Sequence, residues 1–403
     1  MIKDYFKIAL ESIRHRGLRT WLTLVGIFIG IAAVVAIISI GQGLQGAIEA
    51  EFKDLGTDKI MITPAGSFAG TGGATALTTN DVDTVKKVNG VAEASYLLTD
   101  IAQFEWGKDE IYFPTILGVP VDNSYPMMEK VLQLKVEQGR TFKKGDVKKA
   151  IVGYDYAHSV SFKDKLKLGQ KIIIKGEEFE IIGIKEKIGN EQDDRQIVLP
   201  EEGFNQIYIS DDEVDMIVVR VKEGILASDV VAPLEKELRR ERNVKEGQED
   251  FQIQTFEELI KSFLNIFAIV QGVLVGIAAI SLLVGAIGIM NTMYTSVLER
   301  TRDIGVMKAI GARNSDILKM FLIEAGLIGF VGGVVGVILG LGIAKIAEIV
   351  GGAALGTNLL QAAMPAWLII GALLFAFILG SVSGALPAIQ ASKMSPVDAL
   401  REE

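Results

Sequence analysis

The chain has 403 residues, a formal net charge of −9 and no cysteine, with 49% hydrophobic residues beside 23% charged ones. That length admits two or three domains, and the lack of cysteine excludes disulfides. High shares of both apolar and charged residues require the two kinds to be segregated along the chain.

In chain order, residues 1–19 place Tyr5, Ile8, Ala9, Ser12 and Ile13 among bases, which predicts an amphipathic helix on the cytoplasmic membrane surface. Thr20 to Ile48 is free of charge and long enough to cross a hydrocarbon core of about 30 Å. Residues 20–42 are therefore the first span, with Trp21 as an interfacial anchor. This run has the basic flank of a signal peptide. It lacks a small-residue cleavage site and is about 20 residues long rather than about 7–15, so it is expected to remain as a helix. The helical pattern continues through Ala47, Ile48, Phe52 and Leu55, ending near Gly56.

Residues 43–261 form the expected extracytoplasmic α+β domain, where the chain's negative balance resides. Lys59–Thr63, Met216–Val221 and Phe251–Thr255 read as strands, and Ala227–Arg242 as a helix with Val230, Val231, Leu234 and Leu238 on one face. These assign a base subdomain to residues 57–94 and 201–255, with a strand-rich subdomain, residues 95–200, inserted into it. In that insert Ile151–Tyr154 leads to a helix, Lys171–Lys175 and Phe179–Ile184 form a hairpin around Gly176-Glu177, and Ile197–Leu199 follows. Gly66 to Thr75 reads as a loop.

The second span is 262–298, in a helix that starts near Phe256. About 43 helical residues would extend roughly 65 Å, twice the hydrocarbon thickness, so the first two helices are expected to run outward as a stalk. Residues 299–319 are a short charged loop, 320–346 the third span, 347–365 a short Gly-rich external loop and 366–388 the fourth span. Residues 389–403 are a C-terminal cytoplasmic helix. Pro387 should kink the end of the fourth span, and Ser395-Pro396-Val397-Asp398 reads as a capped helix start. Lysine and arginine crowd the segments before the first span, between the second and third, and after the fourth. That asymmetry puts both termini and the middle loop in the cytoplasm of a four-span, multi-pass cell-membrane protein.

Chemistry-bearing motifs are sparse. No G-x-x-x-x-G-K-[ST] phosphate loop is present, and His15 and His158 are isolated, with no H-E-x-x-H. There is no G-x-S-x-G. Asp193-Asp194 and Asp211–Glu213 with Asp215 read as solvated loops, with a weak divalent-cation site as the alternative. No catalytic residue and no metal ligand is assigned. Glu324, at the start of the third span, reads as a structural hydrogen-bond partner rather than part of an ion path, which is the alternative.

The loop from Glu299 to Arg313, ERTRDIGVMKAIGAR, is different. Ile304, Met307 and Ile310 recur at i, i+3 and i+6, giving a short helix with an apolar stripe and charged flanks. Gly311 is placed to end it, and Asn314 or Ser315 to cap the next helix, with Asp316 in its first turn. Such a stripe suits docking on another protein. Small-xxx-small faces, Gly26 with Gly30, Gly272 with Gly276, and Gly332 with Gly336 and Gly340, permit close helix packing either within a subunit or across a dimer.

ERTRDIGVMKAIGAR, then FLIEAGLIGFVGGVVG and GALPAIQASKMSPVDALR, resemble the permease signature of the FtsX/MacB family of ABC transporters. AIVGYDYAHSV, KLGQKIIIKGEEFEIIGI and IVLPEEGFNQIY resemble the MacB periplasmic core. The resemblance implies a homodimer of four-span subunits with a cytoplasmic ABC ATPase bound under each. Glu299, Arg300, Thr301, Arg302, Asp303, Ile304, Gly305, Met307, Lys308, Ala309, Ile310, Gly311 and Ala312 would form the coupling helix. MacB resembles this chain with an ATPase fused ahead of it, so the nucleotide-binding subunit, with its ATP and Mg, is expected to be a separate polypeptide and this chain to hold no cofactor. The implied function is mechanotransmission: export or extraction of a peptide, lipid, lipoprotein or antibiotic, with an external adaptor or substrate protein and membrane lipid as further partners and no nucleic acid. The alternative is an FtsX-like signalling subunit that regulates an external enzyme without transport.

Overall fold

The computed structural model describes residues 18–66, 76–106, 110–159, 165–208, 212–355 and 361–401. The helix expected over 1–19 falls outside these residues up to position 17, as does the loop over 67–75. The described chain divides into two compact units: a sheet unit, Ile48–Phe263, and a helical unit built from the residues up to Ala47, Leu264–Ala353 and the residues from 361 on.

The strands of the sheet unit are β1 (Lys59–Pro64), β2 (Leu77–Thr78), β3 (Val91–Ile101), β4 (Phe104–Trp106), β5 (Glu110–Tyr112), β6 (Thr115–Val119), β7 (Val136–Gly139), β8 (Lys149–Val152), β9 (Lys171–Ile174), β10 (Glu177–Lys185), β11 (Ile197–Pro200), β12 (Glu213–Val214), β13 (Met216–Val221) and β14 (Phe251–Thr255). Twelve of them join one mixed sheet in the order β14-β1-β13-β3-β6-β11-β8-β10-β9-β4-β5, with β7 also on β10; β2 and β12 pair separately. Strand alternation sorts the side chains into two cores. Ala150, Val152, Ile197, Leu199, Ile217 and Val219 enter one, with Phe104, Phe179 and Leu234. Ile151, Val198, Met216 and Val218 enter the other, with Tyr125, Met128 and Phe142. Because both faces of the central strands are covered, runs such as IVLP in β11 and Ala150–Val152 in β8 read as continuously apolar.

The expected boundary between Ala94 and Ser95 falls inside β3. This strand pairs with β13 from Val91 to Leu97 and with β6 from Leu98 to Ile101, so base and insert share one strand and one sheet. The hairpin between β9 and β10 turns at Lys175-Gly176, one residue earlier than expected, because those two residues hold the left-handed φ values of 47° and 88°. That combination fits a two-residue primed turn.

Among the described residues, four helices are long and apolar enough to span a membrane. The first, Leu18–Leu55, and the second, Phe256–Glu299, have 38 and 44 residues, or about 57 and 66 Å. The third runs from Asn314 to Leu355, past the loop expected at 347, since Ile346, Ile349 and Val350 extend its apolar face and Lys345 pairs with Glu348 at 2.6 Å. The fourth, Ala366–Ser383, ends before Pro387. The break comes at Gly384, and Pro387 occupies the first turn of the next helix, Ala385–Lys393, where its missing N–H is not needed. The single C-terminal helix expected over 389–403 is two: Ala385–Lys393 and Pro396–Arg401. The core of this unit joins Ile27, Ile31 and Val35 to Leu282, Ile289 and Met293, and to Phe321, Ile328, Val337 and Ala376.

Candidate coupling site between the second and third spans

The segment read as one helix from Glu299 to Ala312 is shorter. Glu299 ends the second span helix, Arg300 leaves helical geometry (φ −110°, ψ 14°), and a separate helix covers Thr301–Ala309. Gly311 ends it at φ 103°, with its N–H donating to the Lys308 carbonyl and that of Ala312 to Met307. Neither Asn314 nor Ser315 caps the next helix. Helical residues begin at Asn314, so Arg313 holds the cap position, and its N–H donates to the Asp316 carboxylate at 3.3 Å.

Four contacts fix this short helix. Thr301 Oγ1 donates to the carbonyls of Val297 (3.2 Å) and Leu298 (2.9 Å), back across the turn. Arg300 reaches the buried carboxylate of Glu324 on the third span helix at 3.4 Å. Ile304 is fully buried in the helical core, and Gly305 beside it is buried too. Lys308 Nζ donates to the carbonyls of Ser392 (2.6 Å) and Met394 (2.5 Å).

The apolar stripe expected at Ile304, Met307 and Ile310 is therefore divided. Ile304 faces inward, Met307 packs half-buried on the core, and Ile310 is 82% exposed. Arg302, Asp303, Val306, Ala309, Ile310 and Gly311 make the outer face; Glu299 is exposed and Ala312 half-buried. Sequence reasoning missed Val306 as an outward residue and both partners of the basic groups, Glu324 for Arg300 and the Ser392 and Met394 carbonyls for Lys308. Placing Glu324 as a hydrogen-bond partner was the nearest signal.

The glycine faces separate into two groups. A Cβ at Gly26 would lie 3.0 Å from the Cα of Gly285, and one at Gly30 would press on Leu282, so these residues seat the first span helix on the second. Gly336 meets Ile31 and Phe28, and Gly340 meets Ala32 and Val35, seating the third on the first. Gly332 is buried. A Cβ at Gly272 or Gly276 would meet nothing within 4 Å among the described residues. Unforeseen were Gly329 and Gly380, whose backbones meet between the third and fourth helices.

In the sheet unit, Asp194 accepts the N–H groups of Ile188 and Gly189, and Asp193 accepts the side-chain amides of Asn190 and Gln196, so both carboxylates brace their own loop. Asp215 accepts the N–H of Thr99 at 2.6 Å, and burial, with Asp100 and Glu213 nearby, pushes it up to about 6. His158 stacks on Tyr154, while His15 lies outside the described residues. Among the described residues no group of three or more metal-ligating side chains converges. A cavity of about 590 Å³ is lined by Tyr112, Phe113, Tyr156, Glu191 and Arg195 among others.

Comparison with known proteins bears on both units. Residues 20–237 match the MacB-like periplasmic core domain, and residues 275–396 the FtsX-like permease C-terminal domain. An uncharacterized ABC transporter permease of Methanocaldococcus jannaschii is 34% identical, with 100% of this chain and 98% of that protein covered. The uncharacterized ABC transporter permease YknZ of Bacillus subtilis is 30% identical, with 99% of each chain covered. The macrolide export ATP-binding/permease protein MacB of Hyphomonas neptunium is 33% identical over 100% of this chain, which spans only 61% of that protein. Among solved structures, the periplasmic region of MacB from Actinobacillus actinomycetemcomitans aligns with a TM-score of 0.44 at 16% identity, covering 54% of this chain and 98% of that one. The match of both domain models in order, and the full-length similarity to transporter permeases, place this chain in the MacB/FtsX family of ABC transporter permeases.

Proposed function

We propose that this permease transmits the ATP cycle of a cytoplasmic ABC ATPase to its extracytoplasmic sheet unit, and that helix Thr301–Ala309 is where the ATPase docks. The observation that carries this reading is the division of that helix. Its inner face is anchored by Ile304, Arg300–Glu324 and Lys308, while its outer face offers Val306 and Ile310, 47% and 82% exposed, between charged residues. An apolar contact between charges, on a helix that cannot swing freely, moves the span helices when it is pushed.

The second and third span helices, which flank the site, run without a break over 44 and 42 residues. Four windows, residues 20–48, 262–298, 325–344 and 349–392, carry no Asp, Glu, Lys or Arg, so a hydrophilic path through the bilayer has no charged lining there and the work is done outside. Export is the activity named for the MacB relatives; a peptide, lipid, lipoprotein or antibiotic is the class of cargo. Two copies of the chain with two ATPases, both chain termini and the coupling loop in the cytoplasm, complete the proposed assembly.

The test is ATPase stimulation in a reconstituted complex. Val306→Asp with Ile310→Glu should reduce permease-stimulated hydrolysis to the level of the ATPase alone and leave the permease's own melting temperature unchanged. Undiminished stimulation overturns the proposal.

A further inference from the structure

The segment after the fourth span does not leave the helical unit. Helix Ala385–Lys393 buries Ala388, Ala391 and Ser392, and Met394 packs half-buried on the same core. The chain then turns at Ser395, and helix Pro396–Arg401 packs along the coupling helix Thr301–Ala309, burying Ala399. Lys308 joins the two. Its ammonium sits at the end of helix Ala385–Lys393 and donates to the carbonyls of Ser392 and Met394. A helix C-terminus leaves such carbonyls without intrahelical partners and carries the negative end of the helix dipole, so a cation there makes charge-assisted bonds.

This junction leaves three aliphatic side chains exposed outside the four uncharged windows: Val306 at 47%, Ile310 at 82% and Val397 at 69%. Two lie on the coupling helix and the third on the helix packed against it. Two spans, the third and the fourth, lie between the two segments along the chain, so all three side chains belong to the same side of the membrane. Among the described residues of the same segments, Arg302, Arg313, Lys319 and Lys393 are exposed bases, against Glu299 and Asp303 as exposed acids.

We infer that the ATPase-docking surface is composite: helix Pro396–Arg401 contributes to it through Val397, and Lys308 is the positioning residue that holds this helix beside the coupling helix. The occupant is the cytoplasmic ABC ATPase, presenting an apolar cleft with an acidic rim to complement the excess of exposed bases on these segments. This inference rests on the coupling-helix proposal and adds a second element to it.

The absence of native cysteine makes the test direct. Ile310→Cys and Val397→Cys are prepared separately in the full permease, labelled with a thiol-specific photocrosslinker and irradiated in complex with the ATPase in lipid nanodiscs. Both positions should give permease–ATPase adducts. An adduct from Ile310→Cys without one from Val397→Cys overturns the composite surface and leaves the coupling-helix proposal standing; no adduct from either overturns the coupling-helix proposal itself. Adding Lys308→Met should cut the Val397→Cys adduct about tenfold, the scale of losing a charged hydrogen bond, with the Ile310→Cys adduct retained and Lys308→Arg restoring the yield. An undiminished Val397→Cys adduct in Lys308→Met overturns the positioning role.

Discussion

Arg300 meets Glu324 at 3.4 Å, joining the turn after the second span helix to the third, with Glu324 only 2% exposed. A buried carboxylate near the membrane is costly unless matched. Replacing Arg300 with Met removes a partner from that site, and stability should fall by about 3 kcal/mol. Glu324→Gln, which leaves no uncompensated buried anion, should cost less. Thermal unfolding in detergent ranks the two, and equal losses would contradict the pairing.

Ile304 and Ile310 should behave as opposites. Ile304→Ala opens a cavity in the helical core and should destabilise by about 3 kcal/mol. Ile310→Ala removes an exposed side chain, so stability should hold within about 0.5 kcal/mol while ATPase stimulation declines. Melting temperature and hydrolysis rate, measured on the same preparations, check both halves.

The glycines divide by position. Gly380→Ala would put a Cβ 2.5 Å from the Ala325 carbonyl, and the overpacking should cost about 1–3 kcal/mol. Gly272→Ala and Gly276→Ala meet nothing among the described residues and should be neutral or slightly stabilising through better helix propensity. Unfolding curves of the three variants decide the matter.

Asp215 gives the sheet unit a pH dependence. Its carboxyl is pushed from 3.8 to about 6 by burial, with Asp100 and Glu213 adding like charge and the Thr99 N–H opposing. Between about 4 and 6 the folded state holds a proton that the unfolded state has lost, so stability falls as pH rises through that window and the full penalty persists above it. Asp215→Asn keeps an acceptor for Thr99 and should raise the melting temperature above pH 6 while flattening the slope below it. A slope unchanged by the substitution would assign the effect elsewhere.

How far the sequence could be read depended on the range of the interactions. The spans, the apolar strands and the Gly311 stop follow from local composition, and each was legible. The facing of the coupling helix was not, for a geometrical reason. At 3.6 residues per turn, positions i and i+6 lie about 120° apart, so Ile304 and Ile310 cannot share a narrow face even though they share a period. Lys308's carbonyl partners lie 84 and 86 residues away, and backbone acceptors leave no mark in side-chain chemistry. The boundary placed after Ala94 failed likewise, because pairing Leu97 with Met216 is a long-range choice that no local window encodes.

Sharing β3 between its two halves also has a mechanical outcome for the sheet unit. A domain grafted through flexible connections can tilt on its host and absorb an applied load as rotation. Here the polypeptide that exchanges hydrogen bonds with β13 goes on, without a linker, to exchange them with β6. Tension on the part near β1 and β14 is carried along covalent backbone into the part around β8, β10 and β11, as in a beam rather than a hinge. The two halves should accordingly unfold in a single step under force.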